Sequence, residues 1–190
     1  MKKGVVRFFL VFVASLFLSC KGEVLPKPKA MLRLSYPDPE YKELSLPCPY
    51  TFEKNESSDF KEARQNKNCW FNLEYRKQKA TMYISYFEIN NNLDSLLRDA
   101  QNLTQEHVVK ADGILQEPYA DQENQVYGMF YEVSGDAASQ SQFYVTDSIH
   151  HFIVGSIYFK VKPNYDSILP AANYLRNDMK HLMETIRWKK

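Results

Sequence analysis

Cys20 divides this chain and fixes where the rest of it must fold. Lys2, Lys3 and Arg7 open a basic leader, and Phe8 to Leu18 is an apolar stretch. At about eleven residues that run is too short for a membrane-spanning helix and has the length of a signal-peptide core. It ends in Leu16-Phe17-Leu18-Ser19-Cys20, with a small residue directly before the cysteine. This lipobox pattern predicts cleavage before Cys20 and acylation of its sulfur, with palmitate-type chains. Two or more chains give stable anchoring where one does not. The expected organisation is a signal peptide over 1–19, a lipid-anchored tether over 20–29 and a single α+β domain over 30–190. Lys21-Gly22-Glu23 lacks the dense acidic run of a surface-export signal, which points to the periplasmic face of the outer membrane.

That location sets the chemistry of the two remaining cysteines. Outside the cytoplasm an even pair is most simply a disulfide, so Cys48 and Cys69 are expected to be bonded. Two free thiols or a metal pair are the alternatives. The intervening segment, Thr51 to Asn68, reads as a polar loop with little core of its own. Loss of the three basic leader residues takes the formal net charge from +1 to −2. With no block of like charges, nucleic acid is not an expected partner.

Hydrophobic periodicity outlines the domain. Met31 to Tyr36 reads as a first strand ended by Pro37 and Pro39. Trp70 to Tyr75 and Ala80 to Phe87 read as strands joined by the polar turn 76–79. In the second, Ala80, Met82, Ile84 and Tyr86 share one face, and Thr81, Tyr83, Ser85 and Phe87 the other. From Leu93 the spacing becomes helical through Val108, with Asn92 or Asp94 as cap and His107 on a packing face. Lys110-Ala111-Asp112-Gly113 reads as the helix stop. Strands follow over 126–133, 142–148 and 151–161, the last apolar on both faces and so expected at the sheet centre. A final helix is expected from Ser167 to Trp188, capped by Asp166 or Ser167, with Pro170 in its first turn. The fold class is α+β: a mainly antiparallel sheet covered by two long helices, by analogy an αβα sandwich of the PsbP/Mog1 type.

Catalytic signatures are scarce. The chain has no G-x-G-x-x-G, P-loop, G-x-S-x-G or H-E-x-x-H, and only four histidines. It is expected not to be an enzyme and to need no cofactor, metal or small-molecule substrate. The best polar cluster is Asp147, His150 and His151, whose bland reading is a hairpin turn with one imidazole exposed and the other packed. Gly135, Asp136, Ala137, Ala138, Ser139, Gln140, Ser141 and Gln142 form a small, polar, glycine-led segment between aromatic strands, a candidate partner-binding loop. Ser95, Ser148 and Ser167 each follow an aspartate and precede an apolar residue, the pattern of an envelope O-glycosylation sequon. Helix capping explains two of the three equally well.

Several segments together resemble one family. They are Pro28-Lys29-Ala30, Cys48-Pro49-Tyr50-Thr51-Phe52-Glu53, Cys69-Trp70-Phe71-Asn72-Leu73-Glu74 and His107-Val108-Val109-Lys110-Ala111-Asp112. Val126-Tyr127-Gly128, Gly135 to Ser139, Gln142 to Ser148, His151-Phe152 and Arg187-Trp188-Lys189 continue the match. The family is GldD, the gliding-motility lipoproteins of Bacteroidota, and the segment 56–65 departs from it. The resemblance implies a cell-envelope lipoprotein required for gliding and linked to type IX secretion, with envelope proteins as partners. It supplies no catalytic residues. The alternatives are a ligand-binding lipoprotein holding a small molecule or glycan between sheet and helix, and a hydrolase or metal enzyme built on Asp147, His150 and His151.

Overall fold

The computed structural model describes residues 35–63, 68–105, 111–161 and 165–189. Cys20, the tether, most of the expected first strand, and His107 to Lys110 lie outside these. Ten strands and two helices follow in order. They are β1 (Tyr41–Leu44), β2 (Tyr50–Asn55), β3 (Asp59–Glu62), β4 (Phe71–Tyr75), β5 (Ala80–Glu88), α1 (Leu93–Gln105), β6 (Ala111–Asp121), β7 (Val126–Gly135), β8 (Ser139–Thr146), β9 (His151–Phe159), α2 (Tyr165–Glu184) and β10 (Arg187–Trp188). Seven strands form one sheet in the order β3-β4-β5-β9-β8-β7-β6, and β1-β2-β10 form a second. Every described pairing is antiparallel.

Strand β9 is central, as its two apolar faces require. Ile153 and Ile157 join the main core, while Phe152 and Val154 pack in a second cluster with Leu93, Leu96, Leu97 and Ala100 of α1. The same alternation sends Phe71, Leu73, Tyr75, Ala80, Met82 and Ile84 into the main core. There they meet Leu175, Met179, Leu182 and Met183 of α2, and Tyr50 and Phe52 of β2. The helices are 13 and 20 residues long, and none among the described residues is long and apolar enough to cross a membrane. Asn92 starts α1, its carbonyl accepting the first helical N–H bonds from Ser95 and Leu96.

Several expectations needed correction. Ser35 and Tyr36 are not in a strand; the first strand described is β1, after Pro39. The segment between the cysteines is not a plain loop. It carries β2 and β3, and Phe52 and Asn55 are buried within it. Residues 111–121 are a strand rather than a helix stop, and Gly113 sits at a β-bulge. None of its residues is buried, which leaves it without an apolar pattern, and its place at the sheet edge tolerates Pro118. Helix α2 begins at Tyr165, so Asp166 and Ser167 lie in its first turn rather than at the cap, and Pro170 falls in the second. The helix ends at Glu184, where the chain turns so that Arg187 and Trp188 pair with Thr51 and Tyr50.

Candidate functional site

The disulfide joins β2 to β4 from outside the strands. Cys48 and Cys69 are bonded, with Cα atoms 5.6 Å apart. Cys69 adopts a left-handed backbone conformation, and its carbonyl accepts the Tyr50 hydroxyl at 2.9 Å. The next residue, Trp70, is thereby set at the start of β4. Its indole N–H donates to the Tyr86 carbonyl at 2.6 Å, and its ring meets Phe87 edge-on at 5.2 Å.

The expected polar cluster is a capped hairpin. One oxygen of the Asp147 carboxylate accepts the N–H groups of Ile149, His150 and His151 at 3.0, 2.8 and 2.8 Å. Burial pushes this carboxyl up, but the three N–H donors and the neighbouring His151 outweigh it and hold it below the ordinary aspartate value. His150 is exposed, 3.8 Å from Asp147. His151 has its Nδ1 2.8 Å from the Tyr86 hydroxyl and its ring stacked on Trp188. Burial lowers its pKa, against the opposing pull of Asp147 and Glu88. The two rings lie 6.0 Å apart and make different contacts. Among the described residues no three His, Cys, Asp or Glu converge as metal ligands.

The segment 135–142 is mostly interior, contrary to its reading as a recognition loop. Gly135, Ala137, Ser139, Gln140, Ser141 and Gln142 are buried, and only Asp136 and Ala138 are exposed. Residues 139–142 belong to β8, beneath α1 and α2. Gln140 donates its amide to the Ala137 carbonyl at 2.8 Å, and Gln142 accepts the Thr104 hydroxyl of α1 at 2.9 Å. Asp136 accepts the Tyr165 backbone N–H at 2.9 Å, so the side chain that begins α2 comes from a distant loop. The three sequon serines, Ser95, Ser148 and Ser167, are exposed.

A concavity lies where the sequence reading placed no site. On the face of the sheet opposite the main core, α1 covers Phe87, Phe152, Val154 and Tyr144. Over β4 and β5 a cavity of about 400 Å³ is lined by Trp70, Asn72, Glu74, Thr81, Tyr83, Ser85 and Lys160, among others. The register sets Asn72 beside Tyr83, Glu74 beside Thr81, and Thr81 beside Tyr158. Glu74 is bridged by Lys61 at 2.6 Å and by Lys160 at 3.3 Å. Sequence alternation put Thr81, Tyr83 and Ser85 on one face, but nothing local brings Glu74 and Lys160, 86 residues apart, to the same place.

An α+β domain with a seven-stranded antiparallel sheet and a disulfide beside its core is the class these features define. Its architecture is similar to the solution structure of cyanobacterial PsbP (CyanoP) from Synechocystis sp. PCC 6803. The TM-score is 0.50 at 8% identity, covering 90% of this chain and 98% of that one, a likeness of fold alone. No curated protein matches in sequence. The family described as "Gliding motility lipoprotein GldD" matches residues 21–188, and the chain belongs to that family. Membership of a lipoprotein family makes it a lipid-anchored protein of the cell envelope.

Proposed function

We propose that the chain is a non-enzymatic component or assembly factor of the gliding-motility and type IX secretion machinery, acting through protein–protein contacts. The observation that carries this is the family match over nearly the whole chain. The lipobox supports acylation at Cys20, and the absence of an acidic run after it supports the periplasmic face of the outer membrane. On the same footing the fold is an αβα sandwich, with α1 and α2 as outer layers; the two separate apolar clusters support that reading.

The contact surface shifts from the 135–142 segment to side chains that are exposed. Ile149 is 64% exposed at the tip of the β8–β9 hairpin, on a turn held by the three bonds to Asp147. Leu115 is 55% exposed on the edge strand β6. Apolar anchors on a fixed backbone suit an interface. The deciding experiment is secretion of type IX cargo in a clean deletion strain beside a complemented control. Cargo retained in the cells supports a role in the secretion machinery. Cargo secreted by cells that no longer spread refutes that role and confines the protein to motility. Complementation by an Ile149→Asp, Leu115→Asp variant at wild-type level would remove these two side chains from the interface.

A further inference from the structure

We propose that the half of the seven-stranded sheet over β4 and β5, which neither described helix covers on this face, is a binding site for an acidic saccharide. The inference goes beyond the role in gliding and rests on a different face of the molecule. Its volume of about 400 Å³ falls in the range of ligand sites. A second cavity of about 220 Å³, lined by Arg76 and Lys79, adjoins it and shares Glu74 and Lys160, so the two form one elongated groove.

Thr81 marks the floor. Alternation along β5 sends Ala80, Met82 and Ile84 to the core and Thr81 to the groove side. Thr81 is only 3% exposed, and its hydroxyl oxygen has no hydrogen-bond partner among the described residues. A buried hydroxyl without a partner is costly, and native structures seldom leave one unless something else pairs it. Two places along the same strand, Tyr83 is 40% exposed and is met edge-on by Tyr158 at 5.7 Å. Asn72 and Ser85 line the same cavity and can each both donate and accept.

The groove also carries surplus positive charge. Glu74 is the single carboxylate between the Lys61 and Lys160 ammonium groups, and Arg76 is matched by Asp59 at 2.6 Å. Lys160, the longer of the two contacts to Glu74, stands where the cavities join. The ligand that fits has an apolar ring face for Tyr83, hydroxyls for Thr81, Ser85 and Asn72, and an anionic group for Lys160. That is a sugar chain bearing carboxylates. An extended peptide fits less well, because β5 already pairs with β4 and β9 on its two sides. Over β4 and β5, each paired on both sides, its main chain would find no free strand edge.

The test is calorimetric titration of the full chain at low ionic strength, in a detergent without a sugar headgroup. The ligands are tetragalacturonate, the neutral chitotetraose and tetraglutamate. Tetragalacturonate is expected to bind at least about tenfold more tightly than either of the others. Tyr83→Ala should weaken it by about tenfold or more, and Thr81→Val by several-fold with no fall in melting temperature. Chitotetraose bound equally well overturns the acidic assignment. Tetraglutamate bound equally well means that the groove reads charge alone and overturns the saccharide. No measurable binding of tetragalacturonate, or binding that Tyr83→Ala leaves unchanged, overturns the site.

Discussion

The side-chain amide of Asn55 donates to the Asp178 carboxylate at 2.8 Å, with both residues 3% exposed, and so ties β2 to α2 across 123 residues. The other carboxylate oxygen accepts the Tyr41 hydroxyl at 2.8 Å, and the Tyr75 hydroxyl adds a further bond. One aspartate thus gathers β1, β2 and β4 onto a single helix.

Replacing Asp178 with alanine strands several buried donors at once, each costing about 1–3 kcal/mol when left unpaired. The expected loss is about 3–5 kcal/mol, from two or three such groups left unpaired. Asp178→Asn, which keeps an acceptor, should lose less than half of that. Burial raises the Asp178 pKa despite its hydrogen bonds. The folded state therefore holds this proton more tightly than the unfolded state does. The associated stability is complete below the unfolded value and lost as pH rises through the raised folded value. The advantage of wild type over Asp178→Asn should accordingly widen as pH falls from neutral towards the ordinary aspartate value. Urea midpoints across that range check it.

Asp147 works in the opposite sense. Its folded pKa is depressed, so its contribution is present above the ordinary aspartate value and lost as pH falls through the lower folded one. Asp147→Ala removes the acceptor of three backbone N–H groups at a partly exposed turn, at a cost of about 1–2 kcal/mol. Asp147→Asn should cost less at neutral pH and show a flatter loss below about pH 4. Acid titration of the two variants by circular dichroism would separate them.

Strands with one buried and one outer face were legible, because alternation is a strong local signal. Phe71-Asn72-Leu73-Glu74-Tyr75 needs no tertiary knowledge to read. The edge strand 111–121 was not, since none of its residues is buried and a proline interrupts it. Arg187 and Trp188 looked helical because Ile186 continues the α2 stripe, and only pairing with β2 shows that the chain has turned. The cysteine pair was readable from compartment and count. The groove was not, because its floor is assembled from β4, β5 and the end of β9.

Gly128 sits where β7 crosses close to β8. A Cβ placed there collides with the Tyr144 carbonyl, which is backbone and fixed by the sheet. Gly155 is equally close to the Phe143 ring, but a ring has some freedom to shift. Overpacking costs about 1–3 kcal/mol and more where the neighbour cannot yield. Gly128→Ala is therefore expected to be the more damaging, at about 3 kcal/mol or above, with Gly155→Ala nearer 2. Melting temperatures that rank the two the other way would contradict this account.

The Cys48–Cys69 bond closes 21 residues that contain β2 and β3. Chain-entropy reasoning gives it about 3 kcal/mol. In a domain of this size that corresponds to a fall in melting temperature of roughly 10 °C. A double Cys→Ala variant should show that fall and should still fold, because Tyr50, Phe52 and Phe71 pack independently of the sulfur atoms. The consequence reaches further at Trp70, which follows Cys69 and lines the groove. Losing the cross-link frees the turn that positions this indole, so tryptophan emission should move to longer wavelength before global unfolding begins. Emission that changes only together with the main unfolding transition would show that the bond to the Tyr86 carbonyl holds Trp70 without help from the disulfide.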